Sequence, residues 1–285
     1  MKNTILFLTI AAIAAATVPA KTQPTLEAWE ELPGEAIDVG VGANGSVWLI
    51  GTNNSPYMWI PDKWLQRGGK GVRIDVDPNG TPWLVNESGV IYSLFQNDWV
   101  QPSPGALALD VGIGANGTVF VVGRPADGYL SAGVFKWNPG RALPSNRTDS
   151  WIGFEFGGPA VPVRIDVDPL GMPWIVDANN GIFRYRTEYV NDPSRHREGF
   201  WQRIEGYASD IAIAPDGSVW VIGVGSDAGS IFNWIETESR WNQFQTPLHG
   251  SGTVASGISA GETLIRRLRS FVGPWIVSPA GIYRH

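Results

Sequence analysis

AIDVGVGANGSVWLIG, from Ala36 to Gly51, decides the fold, because the chain repeats it: ALDVGIGANGTVFVVG runs from Ala108 to Gly123 and SDIAIAPDGSVWVIG from Ser209 to Gly223. Each copy alternates apolar residues at period two, turns at a glycine and alternates again, as a half-buried hairpin does. Two further copies form a variant, VRIDVDPNGTPWLV from Val72 to Val85 and VRIDVDPLGMPWIV from Val163 to Val176. The first class places Asp38, Asp110 or Asp210 seven residues before the turn glycine. The variant places Arg73 or Arg164 there, adds an Asp pair and sets a proline before the tryptophan. Its closing tails, GVIY at Gly89 to Tyr92 and GIFRY at Gly181 to Tyr185, recur in PWIVSPAGIYR from Pro274 to Arg284. Three units of each class imply a doublet copied three times.

Working outward, six segments open on tryptophan, at Trp29, Trp64, Trp99, Trp151, Trp201 and Trp241. Asn44-Gly45, Asn79-Gly80, Asn116-Gly117 and Asp216-Gly217 are hairpin-turn signals, since these residues tolerate positive φ. No helical periodicity separates the units. A single small sheet cannot bury both its faces, whereas radial stacking buries them and closes the ring. The sequence therefore predicts an all-β fold, a six-bladed β-propeller in three alternating pairs over residues 21–285. A three-bladed ring of larger sheets is the alternative. Gly250 to Gly273 lacks the Asp strand and its turn, and RRLR at Arg266 to Arg269 matches no strand of the other units.

Residues 1–20 differ from the rest. Lys2, an apolar run from Ile5 to Val18 and the small residues to Ala20 predict a signal peptide cleaved after Ala20, hence a secreted, extracellular protein without a membrane span. Loss of Lys2 takes the 21 basic residues to 20 against 27 acidic ones, so the mature charge is 20 − 27 = −7. That balance argues against nucleic acid as partner. With no cysteine, the fold must rest on its core rather than on disulfides. Sequons stand at Asn44, Asn53, Asn79, Asn86, Asn116 and Asn146; Asn146, Asn53 and Asn86 are the glycosylation candidates.

Catalytic and cofactor signals are weak. Two G-x-G-x-x-G matches, Gly40/Gly42/Gly45 and Gly112/Gly114/Gly117, lead into strands and not into the helix a dinucleotide site needs. Asp75-Val-Asp77-Pro-Asn79-Gly80 resembles the start of a calcium loop, yet Trp83 and Asn86 occupy the ninth and twelfth positions. Its carboxylates are expected to cap turn donors instead. His196, His249 and His285 are the three histidines, with no H-E-x-x-H motif. Repeated Asp residues suit structure better than catalysis, which needs a unique constellation. No enzyme activity, no metal and no cofactor are expected.

The leading Trp, the I-D-V-G strand, the glycine turn, V-W-x-I and the closing G-I-Y-R resemble the tectonin repeat, known from tachylectin-1, fish-egg lectins and slime-mould tectonins. The resemblance implies a propeller lectin that binds glycans or microbial cell-surface saccharides such as lipopolysaccharide. Several shallow sites would gain strength through avidity, even in a monomer. Trp48, Trp83, Trp174, Trp220, Trp275 and Phe120 are expected between blades. The ligand-contact candidates are Asn86, Glu87, Tyr92, Asp177, Asn179, Asn180, Arg184, Tyr185, Tyr283 and Arg284, because sugars need planar polar groups beside an aromatic face. A protein-binding propeller scaffold would instead show one exposed apolar patch. A hydrolase would show two close carboxylates in a deep central pocket.

Overall fold

The glycine turns fold their flanking strands into antiparallel hairpins, with Gly45 at φ +80° and Gly80 at φ +90°. The computed structural model describes residues 29–124, 130–138, 150–187, 199–248, 255–265 and 269–285, with the backbone alone for 262–265 and 269–272. The signal peptide, Asn146, His196 and His249 lie outside these residues, as do three of the four RRLR residues. No helix among the described residues is long and apolar enough to cross a membrane.

The chain opens on β1 (Glu30–Leu32) and then builds three sheets in sequence order. The first holds β2 (Ala36–Val41), β3 (Val47–Gly51), β4 (Pro56–Ile60) and β5 (Lys63–Gln66). The second holds β6 (Arg73–Val76), β7 (Pro82–Val85), β8 (Ile91–Phe95) and β9 (Asp98–Val100). The third holds β10 (Ala108–Ile113), β11 (Val119–Gly123), β12 (Gly133–Trp137) and β13 (Trp151–Phe154). A seven-stranded sheet follows, with β14 (Pro162–Val167), β15 (Pro173–Asp177), β16 (Gly181–Thr187), β17 (Gly199–Ile213), β18 (Val219–Gly223), β19 (Ile231–Ile235) and β20 (Arg240–Phe244). In the last sheet, β21 (Gly257–Ile265), β22 (Arg269–Ser278) and β23 (Gly281–Arg284) take back β1 as their outer strand.

Four four-stranded sheets and one seven-stranded sheet thus stand where six separate sheets were expected. The departure has a local cause. β17 runs for 15 residues, pairing through its first half with β16 and through its second with β18, which fuses two repeat units into one sheet. Strands β2, β6, β10, β14, β17 and β21 touch in that order, and β21 returns to β2. This is a β-propeller, closed by the pairing of β1 with β23 in the register Glu30↔Arg284 and Leu32↔Ile282. Closure through both ends of the chain ties the first and last segments into one sheet and leaves only short outer edges.

The units are phased one strand later than their leading tryptophans indicate. Trp64 and Trp99 lie in the outer strands β5 and β9, and β1, which follows Trp29, completes the last sheet. Six hydrophobic clusters fill the contacts between neighbouring units, and each holds one strand aromatic: Trp48, Trp83, Phe120, Trp174, Trp220 or Trp275. All six are buried, as expected from their alternation. In the last sheet β21 supplies the inner strand that the sequence pattern hides, with Ser259 opposite Trp275 as Asp75 is opposite Trp83. There β21 and β22 continue pairing out to Ile265↔Arg269, where the other units have already turned.

Candidate functional site

The repeated Asp and Arg residues converge on the propeller axis. Register shifts after Ala36, Ala108, Pro162 and Ala208 mark a bulge just before Asp38, Asp110, Arg164 and Asp210, re-aiming the strand there. Each carboxylate then spans a unit boundary. Asp38 Oδ2 accepts the N–H of Ile74 at 2.7 Å, Asp75 that of Ile113 at 2.6 Å, Asp110 that of Ile165 at 3.0 Å and Asp166 that of Ile213 at 2.5 Å. Ser259 closes the series by accepting the N–H of Val41 at 3.0 Å. Arg73 lies 3.3 Å from Asp38 and 3.8 Å from Asp210, and Arg164 lies 3.7 Å from Asp210.

Burial governs the electrostatics of this array. It pushes Asp38 up to about 7, with Arg73 opposing and Asp210 and Asp110 adding to the rise. It pushes Asp110 up to about 6 against Arg73 and Arg164. Asp75 and Asp166 are raised well above the ordinary range, again by burial first. The free space among these groups is about 20 Å³, room for about one water and far too small for a sugar ring. No group of three or more His, Asp or Glu suited to a metal occurs among the described residues. Asp77, from the calcium-like stretch, caps its own turn by accepting from Asn79 and Thr81, each at 2.8 Å.

Five of the six leading tryptophans work as latches. Trp64 Nε1 donates to Pro33 O at 2.8 Å, Trp201 to Glu155 O at 2.8 Å, Trp241 to Glu205 O at 2.6 Å and Trp29 to Gln245 O at 2.9 Å; Trp99 does the same to Gly68 O. Each indole pins the segment that enters the inner strand. Opposite the second strand of every unit stands another aromatic, at registers Leu49↔Tyr57, Leu84↔Tyr92, Val121↔Phe135, Ile175↔Phe183, Val221↔Phe232 and Ile276↔Tyr283.

At the first two units this arrangement leaves a groove. One, of about 260 Å³, has Tyr57 and Trp64 as walls and Leu49 and Ile282 beneath, with Gly34 at the entry segment. Its repeat equivalent, of about 240 Å³, has Tyr92 and Trp99 as walls, Leu84 beneath, and Gly69. Both glycines take left-handed φ, +109° and +101°. In the fourth unit the corresponding space is filled, because Phe156 packs on Phe183 at 5.0 Å and Arg203 covers the same ring at 5.2 Å.

A polar saddle of about 310 Å³ joins the two grooves through shared Asn53 on one side and shared Lys70 and Asn86 on the other. Lys70 Nζ donates to Asn53 O at 2.7 Å and to Ser55 Oγ at 3.2 Å, both neutral acceptors. Asn54 Nδ2 donates to Glu87 Oε1 at 2.8 Å, and Arg124 steadies the Glu87 carbonyl at 2.8 Å. Asn53 Nδ2 donates to the Tyr57 hydroxyl at 2.9 Å. The walls are therefore aromatic, and the saddle presents ammonium, amide and carboxylate groups braced against each other.

Of the residues singled out in the sequence, Asn86, Glu87 and Tyr92 fall in this trough. The remainder do not join them. Asp177 is wholly buried and caps its own turn through the N–H groups of Asn179 at 2.9 Å and Gly181 at 2.7 Å. Exposed Asn180 holds φ +63° in that turn. Arg184 is committed to Gln202 at 2.9 Å and Glu236 at 2.7 Å, above the Trp174 ring at 5.3 Å. Its hydrogen bond is the first cause that holds the Glu236 pKa below its ordinary value. Tyr185 packs on Trp201 at 5.2 Å and Phe154 at 5.0 Å. Tyr283 joins the cluster of Trp220's unit boundary, and Arg284 binds Glu30 at 2.6 Å. Asn53 is exposed, whereas Asn86 is half-buried and caps Val90 at 2.9 Å. Sequence reasoning missed Tyr57, Trp64, Trp99, Asn53 and Lys70 as wall or saddle residues; the glycine at 34 and 69, which recurs at 206 with the same left-handed φ, was the available signal.

A family model, the Tectonin domain, matches residues 14–105, less than half of the chain. No curated relative matches the sequence. Among solved structures, a putative gluconolactonase superposes with TM-score 0.61 at 12% identity, covering 93% of this chain and 92% of that one. A YCF48 protein bound to D1 peptide gives 0.52 at 16%, covering 93% and 99%. The β-propeller domain of Cps50 (Swd1) from Myceliophteria thermophila gives 0.56 at 8%, covering 89% and 85%. Identities this low establish a shared fold and nothing of activity.

Proposed function

We propose that this chain is an exported, carbohydrate-binding propeller of six blades whose sugar contacts lie in the aromatic grooves of the first two units. The observation that carries the reading is the repeated pairing of Tyr57 with Trp64 and of Tyr92 with Trp99 beside the amides of Asn53 and Asn86. Aromatic faces suit the C–H side of a pyranose, and amides pair with its hydroxyls. The tectonin-domain match over these same units agrees with a lectin-like role. The six-blade count rests on the six inter-unit clusters and on counting β17 in both halves of the fused sheet. A signal peptide over 1–20 supports export, to glycans or microbial surfaces.

Binding is favoured over hydrolysis because the clustered carboxylates line a space of about 20 Å³ and are tied to backbone N–H groups. A protein-binding scaffold is less favoured. Exposed apolar residues such as Leu65, Phe95, Ile152 and Phe200 are dispersed over different sheets. The test is binding of the mature protein to a glycan array and to whole bacteria, with free sugar as competitor. Competable binding that a Tyr57→Ala/Tyr92→Ala double variant loses, with its circular dichroism unchanged, supports the reading. A folded wild type that binds no glycan and no cell overturns it.

A further inference from the structure

We infer that the two grooves and the saddle between them form one composite site for a linear, uncharged oligosaccharide of three or more units. This rests on the carbohydrate reading above. Each groove adjoins the saddle, since each shares lining residues with it. Their walls stand on neighbouring stacked sheets, whose spacing is about 10 Å face to face, so no single pyranose reaches both Trp64 and Trp99. A chain resting an end unit on each aromatic pair must lay its middle across Lys70, Asn53 and Glu87.

The saddle is built to receive that middle unit without rearranging. The Asn54–Glu87, Lys70–Asn53 and Arg124–Glu87 bonds fix donors and acceptors across the unit boundary before any ligand arrives, and preorganisation of this kind strengthens binding. Charge selects the ligand class. Glu35 and Glu87 face Lys70 along the trough, the Arg124 guanidinium is bonded to the Glu87 carbonyl beside them, and the whole chain is acidic. Charges of both signs set this close offer a charged saccharide no net attraction, whereas hydroxyls can both accept from Lys70 and donate to Glu87.

The experiment compares wild-type binding to linear neutral glycans of one to six units and to acidic glycans of the same lengths. Affinity is expected to rise steeply from the monosaccharide to the trisaccharide. Tyr57→Ala and Tyr92→Ala should each weaken trisaccharide binding about tenfold, with monosaccharide binding nearly unchanged. Lys70→Gln, on an exposed side chain, probes the saddle without touching packing and should reduce trisaccharide binding alone. Monosaccharides bound as tightly as longer chains, or preference for acidic glycans, would overturn the composite site and leave the carbohydrate reading intact. Absence of all glycan binding by folded protein would defeat both.

Discussion

The carboxylate of Asp38 accepts the backbone N–H of Ile74 at 2.7 Å across the boundary between the first and second sheets. Asp75, Asp110 and Asp166 repeat that bond at the next three boundaries, so the inner ring is stitched by side chains where no strand ladder crosses. Removing one stitch leaves buried donors without partners. Asp110→Ala frees the N–H groups of both Val111 and Ile165, and should lower unfolding free energy by about 2–4 kcal/mol. Urea denaturation measures this. A loss near zero would mean that solvent replaces the bonds.

The same array sets the pH response. Asp38 rises to about 7 and Asp110 to about 6, from an ordinary carboxyl value of 3.8, with burial as the first cause of each. A carboxyl whose pKa is higher folded than unfolded holds its proton more tightly when folded. Its stabilising contribution is present at low pH and is lost as pH rises through the folded value. Thermal stability should therefore fall between about pH 4 and about pH 7 from this array. Melting scans across that window test it, and Asp38→Asn should flatten the slope.

Ring closure depends on apolar contact more than on charge. Leu32 is buried with Trp275 and Ile282, so Leu32→Ala should cost about 2–4 kcal/mol. Glu30 bonds Arg284 at 2.6 Å but is largely exposed, and Glu30→Ala should cost under about 1 kcal/mol. Parallel denaturation of the two variants checks the ranking.

The indole latch of Trp64 is separable from its ring. Trp64→Phe keeps an aromatic wall and removes the donor to Pro33 O, for a loss of about 1 kcal/mol. Glycan binding should survive in this variant, as array binding alongside a melt would show.

Gly34 and Gly69 hold equivalent conformations in unequal space. A Cβ on Gly69 would sit 2.8 Å from the Trp99 ring, whereas one on Gly34 meets nothing nearer than 3.5 Å. Both Gly→Ala variants carry backbone strain of about 1–2 kcal/mol. Only Gly69→Ala should also displace Trp99 and blunt binding at the second groove, visible as a change in tryptophan fluorescence.

The sequence by itself determined the strands, their turns and the six buried aromatics, because period-two alternation and Asn-Gly dipeptides act within a few residues. It also marked Asp38, Asp110 and Asp210 as repeated and so structural. What it could not supply was the phase of each sheet, since Trp64 ends the sheet that begins at Ala36 instead of opening the next one. Nor could it assign partners: Arg73 meets Asp210 across the ring axis, and Arg184 meets Glu236 through the fused sheet, both over long separations in sequence. The trough has the same origin. Asn86, Glu87 and Tyr92 read as polar and aromatic surface residues, much like Asn179, Asn180 and Tyr185. Glycine at 34 and 69 leaves the space beside Tyr57 and Tyr92 open, while Phe156 fills it beside Phe183, and that distinction exists only once entry segment and outer strand have packed together.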